Sequence, residues 1–115
     1  MKAESKYQNK YDSCNLTYAL NVVGGKWRLP ILWALYKHDI LRYNELKRAI
    51  EGITNMMLTQ SLKELENHGI VHRKQYMEIP PRVEYSLTED GKDLIPALIA
   101  LAKWGKQIKE KNKRD

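Results

Sequence analysis

Asn55, Met56, Thr59, Gln60 and Lys63 follow one another at alternating steps of one and three residues, a spacing that gathers side chains on one side of an α-helix. Their chemistry suits the edges of nucleobases. The carboxamides of Asn and Gln can pair at two points with adenine. The methyl groups of Thr and Met can touch a thymine methyl, and a Lys ammonium can bind guanine or phosphate. Leu58, Leu62 and Leu65 lie on another side at i, i+4, i+7 and need a core. Alone, such a polar stripe is most often a solvated helix face. Met56 weighs against that reading, because an exposed thioether gains nothing in water.

The flanking segments must hold this helix. Thr54 stands where an N-cap belongs, and His68-Gly69 closes the far end. Residues 44–50 read as a short helix with Leu46 and Ile50 inward, followed by a tight connection carrying Gly52. Residues 15–23 read as an amphipathic helix with Leu16, Ala19, Leu20 and Val23 on one face, ended by Gly24-Gly25. A second helix begins near Trp27 and aligns Trp27, Ile31 and Leu35; Pro30 is tolerated in its first turn. Leu41 to Tyr43 leaves room for no more than a strand stub. The period then changes to two. Residues 70–79 and 82–88 alternate, with Val83, Tyr85 and Leu87 on one face and Pro80-Pro81 at a tip that cannot pair as strand. Thr88 caps a last helix, whose positive end suits Glu89, Asp90 and Asp93.

This order predicts a mainly α fold with a small antiparallel β hairpin (α+β): a winged helix-turn-helix with N- and C-terminal dimerisation helices. The helix from Asn55 would enter the major groove. Arg73, Lys74 and Arg82 flank the hairpin tip, where an Arg suits the minor groove or a phosphate. Lys26, Arg28 and Arg42 are further phosphate candidates, each of which could equally be surface charge. Leu94, Leu98 and Leu101 form one stripe of the last helix and Ile95, Ile99 and Ala102 its neighbour, ending in Trp104. That face is broad for a helix lying on a small domain, so a partner surface is expected, with Leu16, Tyr18 and Leu20 supplying part of it. The simpler alternative packs the helix on its own domain. The chain divides into a flexible arm (1–13), a DNA-binding and dimerisation domain (14–105) and a basic tail (106–115) expected to fray.

A chain of 115 residues supports one core, and its 43% apolar and 30% charged residues describe a globular protein. The formal charge of +6 invites a polyanion, nucleic acid ahead of a membrane surface. The first fourteen residues hold no signal-peptide core, and no apolar run approaches the ~18 residues that span a bilayer. Cytoplasmic location without membrane association is therefore expected. His38, His68 and His72 have no metal-site spacing, and neither a phosphate loop nor a Ser/His/Asp cluster is visible. The expectation is a non-enzyme without metal or cofactor.

GGKW (24–27), RYNEL (42–46), MLTQSLKELE (57–66), PPRVEYSLTEDG (80–91) and KWG (103–105) stand in a fixed order. The set, over roughly residues 14–105, resembles the HxlR family of bacterial and archaeal transcription regulators. The resemblance implies a winged-helix homodimer, joined through its N- and C-terminal helices, on a two-fold-related operator in double-stranded DNA. Repression is the expected outcome. Several members of that family carry a cysteine before the first helix and use it to sense oxidants or electrophiles, and Cys14 matches the position.

Cys14 is the only cysteine, so no internal disulfide can form. A thiol at a helix start near Lys10 can have a lowered pKa, and oxidation could give an intersubunit bridge, a mixed disulfide or a sulfenic acid. A lone cysteine is also commonly an inert packing residue. Two positions depart from the family: many members have Pro where Asn15 stands, and a basic residue where Met56 stands. Met cannot bind phosphate, so that contact is not carried over. An oxidant or small-molecule effector is left open. The alternative function is a redox- or ligand-responsive protein-interaction module with weak DNA binding. An RNA-binding role is disfavoured, since only Tyr76 and Tyr85 could stack bases on the sheet.

Overall fold

Cys14 opens the first element of the computed structural model, which describes residues 14–114. The expected arm over 1–13 and Lys10 lie outside the described residues. Helix α1 (Asn15–Val23) starts with the Tyr18 N–H on the Cys14 carbonyl at 3.0 Å. It ends where the Gly24 N–H meets the Leu20 carbonyl at 2.7 Å; a side chain on Gly24 would collide with that same carbonyl. Of its apolar face only Val23 is buried, while Leu16, Ala19 and Leu20 stand in solvent. The periodicity marked an apolar face correctly but not one that this domain covers.

Helix α2 (Arg28–His38) carries Pro30 as its third residue, where a missing N–H breaks no helical bond. Its buried Ile31, Leu32 and Leu35 form the middle of the core. It stops at Asp39, whose φ of 71° no helix can continue. Strand β1 (Ile40–Arg42) follows, then helix α3 (Tyr43–Ala49), one residue earlier than the sequence suggested. The Glu45 carboxylate accepts the Arg42 N–H at 2.8 Å, which satisfies a donor at that start. Gly52 turns the chain with φ 85°, a conformation that costs a side chain dearly.

Helix α4 (Asn55–Asn67) has Thr54 as its N-cap, the side chain accepting the Met57 N–H at 3.1 Å. Strands β2 (Val71–Tyr76) and β3 (Arg82–Leu87) form the expected hairpin. Pairing ends at Tyr76 opposite Arg82, short of Ile79, because the two prolines beyond offer no N–H. β1 also pairs with β3, Leu41 opposite Tyr85, so the sheet is three-stranded in the order β1-β3-β2. The hairpin was legible; three residues are too few to show a third strand by alternation.

Helix α5 (Glu89–Arg114) is 26 residues long, about 39 Å at 1.5 Å per residue. Thr88 ties its start to the turn after α4: its Oγ1 donates to the Gly69 carbonyl at 2.6 Å and accepts the Gly91 N–H at 3.1 Å. Gly91 permits the approach, since a Cβ there would strike the Ile70 carbonyl oxygen. The helix continues through the tail that was expected to fray, with no break at 105–106. Ile95 and Leu98 pack into the core with α2, while Leu101, Ala102 and Trp104 remain exposed.

Candidate nucleic-acid interface

Helix α4 is two-sided. Leu58, Ser61, Leu62 and Leu65 are buried, and the leucines seat the helix on α2 and β2. Asn55, Met56, Thr59, Gln60 and Lys63 are all exposed, Met56 to 77%. The five side chains chosen for their chemistry thus share the outward side.

Tyr43, which the sequence reading passed over, fixes that side. Its hydroxyl lies 2.9 Å from the Asn55 carbonyl, 2.9 Å from Thr59 Oγ1 and 3.4 Å from Asn55 Oδ1. A carbonyl can only accept, so the Tyr43 proton goes to Asn55 and the Thr59 hydroxyl donates to Tyr43. Thr59 remains exposed while its hydroxyl is held by Tyr43. One residue of α3 thereby locks the first turns of α4.

Two expected DNA contacts have other duties. Arg28 donates to the carbonyls of Asn21 and Val22 at 2.9 and 2.8 Å and to Glu64 Oε1 at 2.5 Å. It caps the end of α1 and clamps it to α4, so it is not a free phosphate ligand. The hydrogen bond from Arg28 holds the Glu64 carboxyl below the usual carboxylate range, against its own desolvation. Arg82 folds back on the wing: Nη1 meets Glu78 at 2.7 Å, Nε meets Glu84 at 3.1 Å, and the guanidinium lies 3.9 Å from the Tyr76 ring centre. The cation expected to reach into the minor groove is engaged within its own hairpin.

The remaining basic residues are more accessible. Arg42 and Lys74 stand in register on either side of Glu84, both exposed. Lys74 also approaches the Tyr76 ring, 4.9 Å from its centre. Arg73 is exposed one residue earlier on β2. A cleft of about 470 Å³ brings Arg42 and Arg82 together with Tyr43, Asn44, Arg48 and Pro81. Arg48 is an addition; its outward position on a seven-residue helix was the available signal. Lys26 lies over the Trp27 ring at 4.9 Å and lines a cleft with Glu51, beside the turn between α3 and α4.

At the other end, Cys14 is exposed, and the neighbouring Thr17 side chain and N–H lower its thiol pKa. Leu16, Tyr18, Leu20, Leu101 and Trp104 are exposed. Leu98, expected with them at a dimer interface, is only 7% exposed within its own core. It instead floors an apolar trough with Leu29, Pro30, Trp33, Leu101 and Ala102.

A buried leucine row beneath a polar helix face, joined by a tight turn to a second helix and followed by a basic hairpin, defines a winged helix-turn-helix of the DNA-binding class. Residues 22–113 match the model of the HxlR-like helix-turn-helix family. The chain belongs to that family and is a DNA-binding transcriptional regulator. It is 43% identical to the HTH-type transcriptional regulator YybR of Bacillus subtilis (strain 168) over 107 residues, 90% of this chain and 82% of that one. The redox regulator HypR in its reduced form is similar in structure, with TM-score 0.82 and 38% identity over 89% of this chain and all (100%) of that one. The reduced form of the regulator YodB from B. subtilis gives TM-score 0.71 at 33% identity, covering 82% and 92%. No helix of the described residues is long and apolar enough to cross a membrane.

Proposed function

We propose that the protein is a cytoplasmic homodimer that sets two α4 helices into successive major grooves of a two-fold-related operator and represses by occupying it. The observation that carries this reading is the outward side of α4, where Asn55, Met56, Thr59, Gln60 and Lys63 stand exposed above a buried leucine row. Asn55 and Gln60 read base edges, Met56 and the Thr59 methyl meet thymine methyls, and Lys63 takes guanine or phosphate. Arg42, Arg48, Arg73, Lys74 and Lys26 hold the backbone on either side, which positions the reading helix without specifying sequence. Leu16, Leu20, Leu101, Ala102 and Trp104, exposed on two helices, supply the apolar surface for the second copy. Binding to duplexes recovered from a random library tests the reading: affinity must fall steeply with salt, as several phosphate contacts require. An absence of affinity for any duplex at low salt refutes it.

A second reading concerns Cys14. Its exposure, its lowered thiol pKa and the similarity to redox regulator HypR support an oxidant response at this thiol. A peroxide-class oxidant would convert it to a sulfenic acid, which then condenses with Cys14 of the partner subunit or with a small thiol. Cys14→Ser must abolish any oxidant-dependent change in DNA affinity; an unchanged response removes Cys14 from the mechanism.

A further inference from the structure

The two most exposed large hydrophobic residues among those described are Ile79, at 101% of its reference area, and Met77, at 91%. Both lie at the wing tip, in the five residues 77–81 beyond the last strand pair. Pro80 and Pro81 follow Ile79, so the tip is stiff and offers no N–H there. Arg82, the cation next to the tip in sequence, is engaged by Glu78, Glu84 and the Tyr76 ring. The tip thus presents a fully exposed hydrocarbon, while its nearest charges, Glu78 and Arg82, face each other.

We propose that Ile79, with Met77 beside it, is a wedge that enters the minor groove, unstacks a base step and kinks the operator. This rests on the reading of the protein as a duplex-DNA binder. Its surroundings fit that occupant. Pro81 lines the same cleft as Arg42 and Arg48, so the tip is continuous with the basic side chains at the start of α3 and on its outer side. Arg73 and Lys74 lie exposed on the strand leading to it. Pairing with Arg82, which is shared with Glu84, offsets part of the charge that Glu78 would otherwise carry toward the phosphates. Apolar side chains between base pairs are a known way to bend a duplex, by about 20–90°. Pyrimidine–purine steps unstack most readily, so the wedge selects such a step where no side chain reads a base edge.

The test uses the full chain and a duplex recovered by it from a random-sequence library. Energy transfer between dyes at the duplex ends reads the bend, and 2-aminopurine at the wing-facing step reads unstacking. Wild type must shorten the end-to-end distance and raise 2-aminopurine fluorescence. Ile79→Ala, at a fully exposed position, must lose both signals and bind about tenfold more weakly with an unchanged salt slope. Lys74→Ala must do the opposite, lowering the salt slope and keeping the bend. A straight duplex in the wild-type complex, or an Ile79→Ala complex bent as before, overturns the wedge while leaving DNA binding intact. A loss of pairing between protein copies in Ile79→Ala, with the bend retained, assigns the tip to a protein contact and also overturns it. Recovery of no duplex at all removes the wedge together with the regulator reading.

Discussion

Replacing Arg28 by Met separates a structural clamp from a phosphate ligand. Arg28 joins α1 to α4 through two backbone carbonyls, at 2.9 and 2.8 Å, and the Glu64 carboxylate. A hydrogen bond with a charged partner contributes about 1.5–3 kcal/mol. The Asn21 carbonyl lies at an exposed contact and water replaces part of its bond, so the two carbonyl contacts together contribute about 2 kcal/mol. For a domain of this length that lowers Tm by about 8–16 °C, read by calorimetry at fixed protein concentration. The pH dependence changes too. Glu64 titrates below the usual carboxylate range because Arg28 donates to it. The stability this supplies is complete above the unfolded carboxylate pKa of about 4.3 and drains as pH falls through the lower folded value. Arg28→Met must therefore flatten the acid limb of the stability curve. Its salt slope for DNA binding must match wild type. A Tm within about 2 °C of wild type, joined to a salt slope reduced by about 0.9, would mean that Arg28 is a phosphate contact after all.

Three other substitutions test neighbouring parts. Met56→Lys adds a cation to the first turn of α4, and should steepen the dependence of log K on log salt by about 0.9 and raise non-specific affinity; mobility shifts over a salt series measure it. Tyr43→Phe leaves the Asn55 carbonyl and Thr59 hydroxyl to water, costing about 0.5–1 kcal/mol in urea unfolding. It should also broaden the set of duplexes selected at the base facing Thr59. Trp104→Glu places a charge on the exposed apolar face of α5; the proposed pairing predicts a dimeric wild type and a monomeric variant in sedimentation equilibrium at the same concentration.

The elements around α4 were legible because their signals are local. Thr54 and Thr88 cap within three residues of themselves, and Leu58, Leu62 and Leu65 repeat at the helical period. The roles of Arg28 and Tyr43 in holding α4 were not legible because their partners are distant: Glu64 is 36 residues from Arg28, and Thr59 is 16 from Tyr43. Arg82 was more readable than that. Glu84, two residues on, projects on the same face of a strand, and Glu78 stands four residues before it. The apolar face of α1 was visible, but hydrophobic period says only that a face needs cover and not whether its own domain supplies it. The tail after Gly105 was read from its charge, whereas Lys, Glu and Gln are all good helix formers and α5 continues to Arg114.

Hydroxyl-radical footprinting of the protein on a duplex it has selected tests the central claim most directly. Two α4 helices on one two-fold dimer require two protected half-sites, related by symmetry and centred 10–10.5 base pairs or a multiple apart, on one side of the duplex. Substituting Gln60 by Ala must weaken protection in both halves equally. A single unsymmetrical protected segment, or a footprint indifferent to Gln60, would contradict the account.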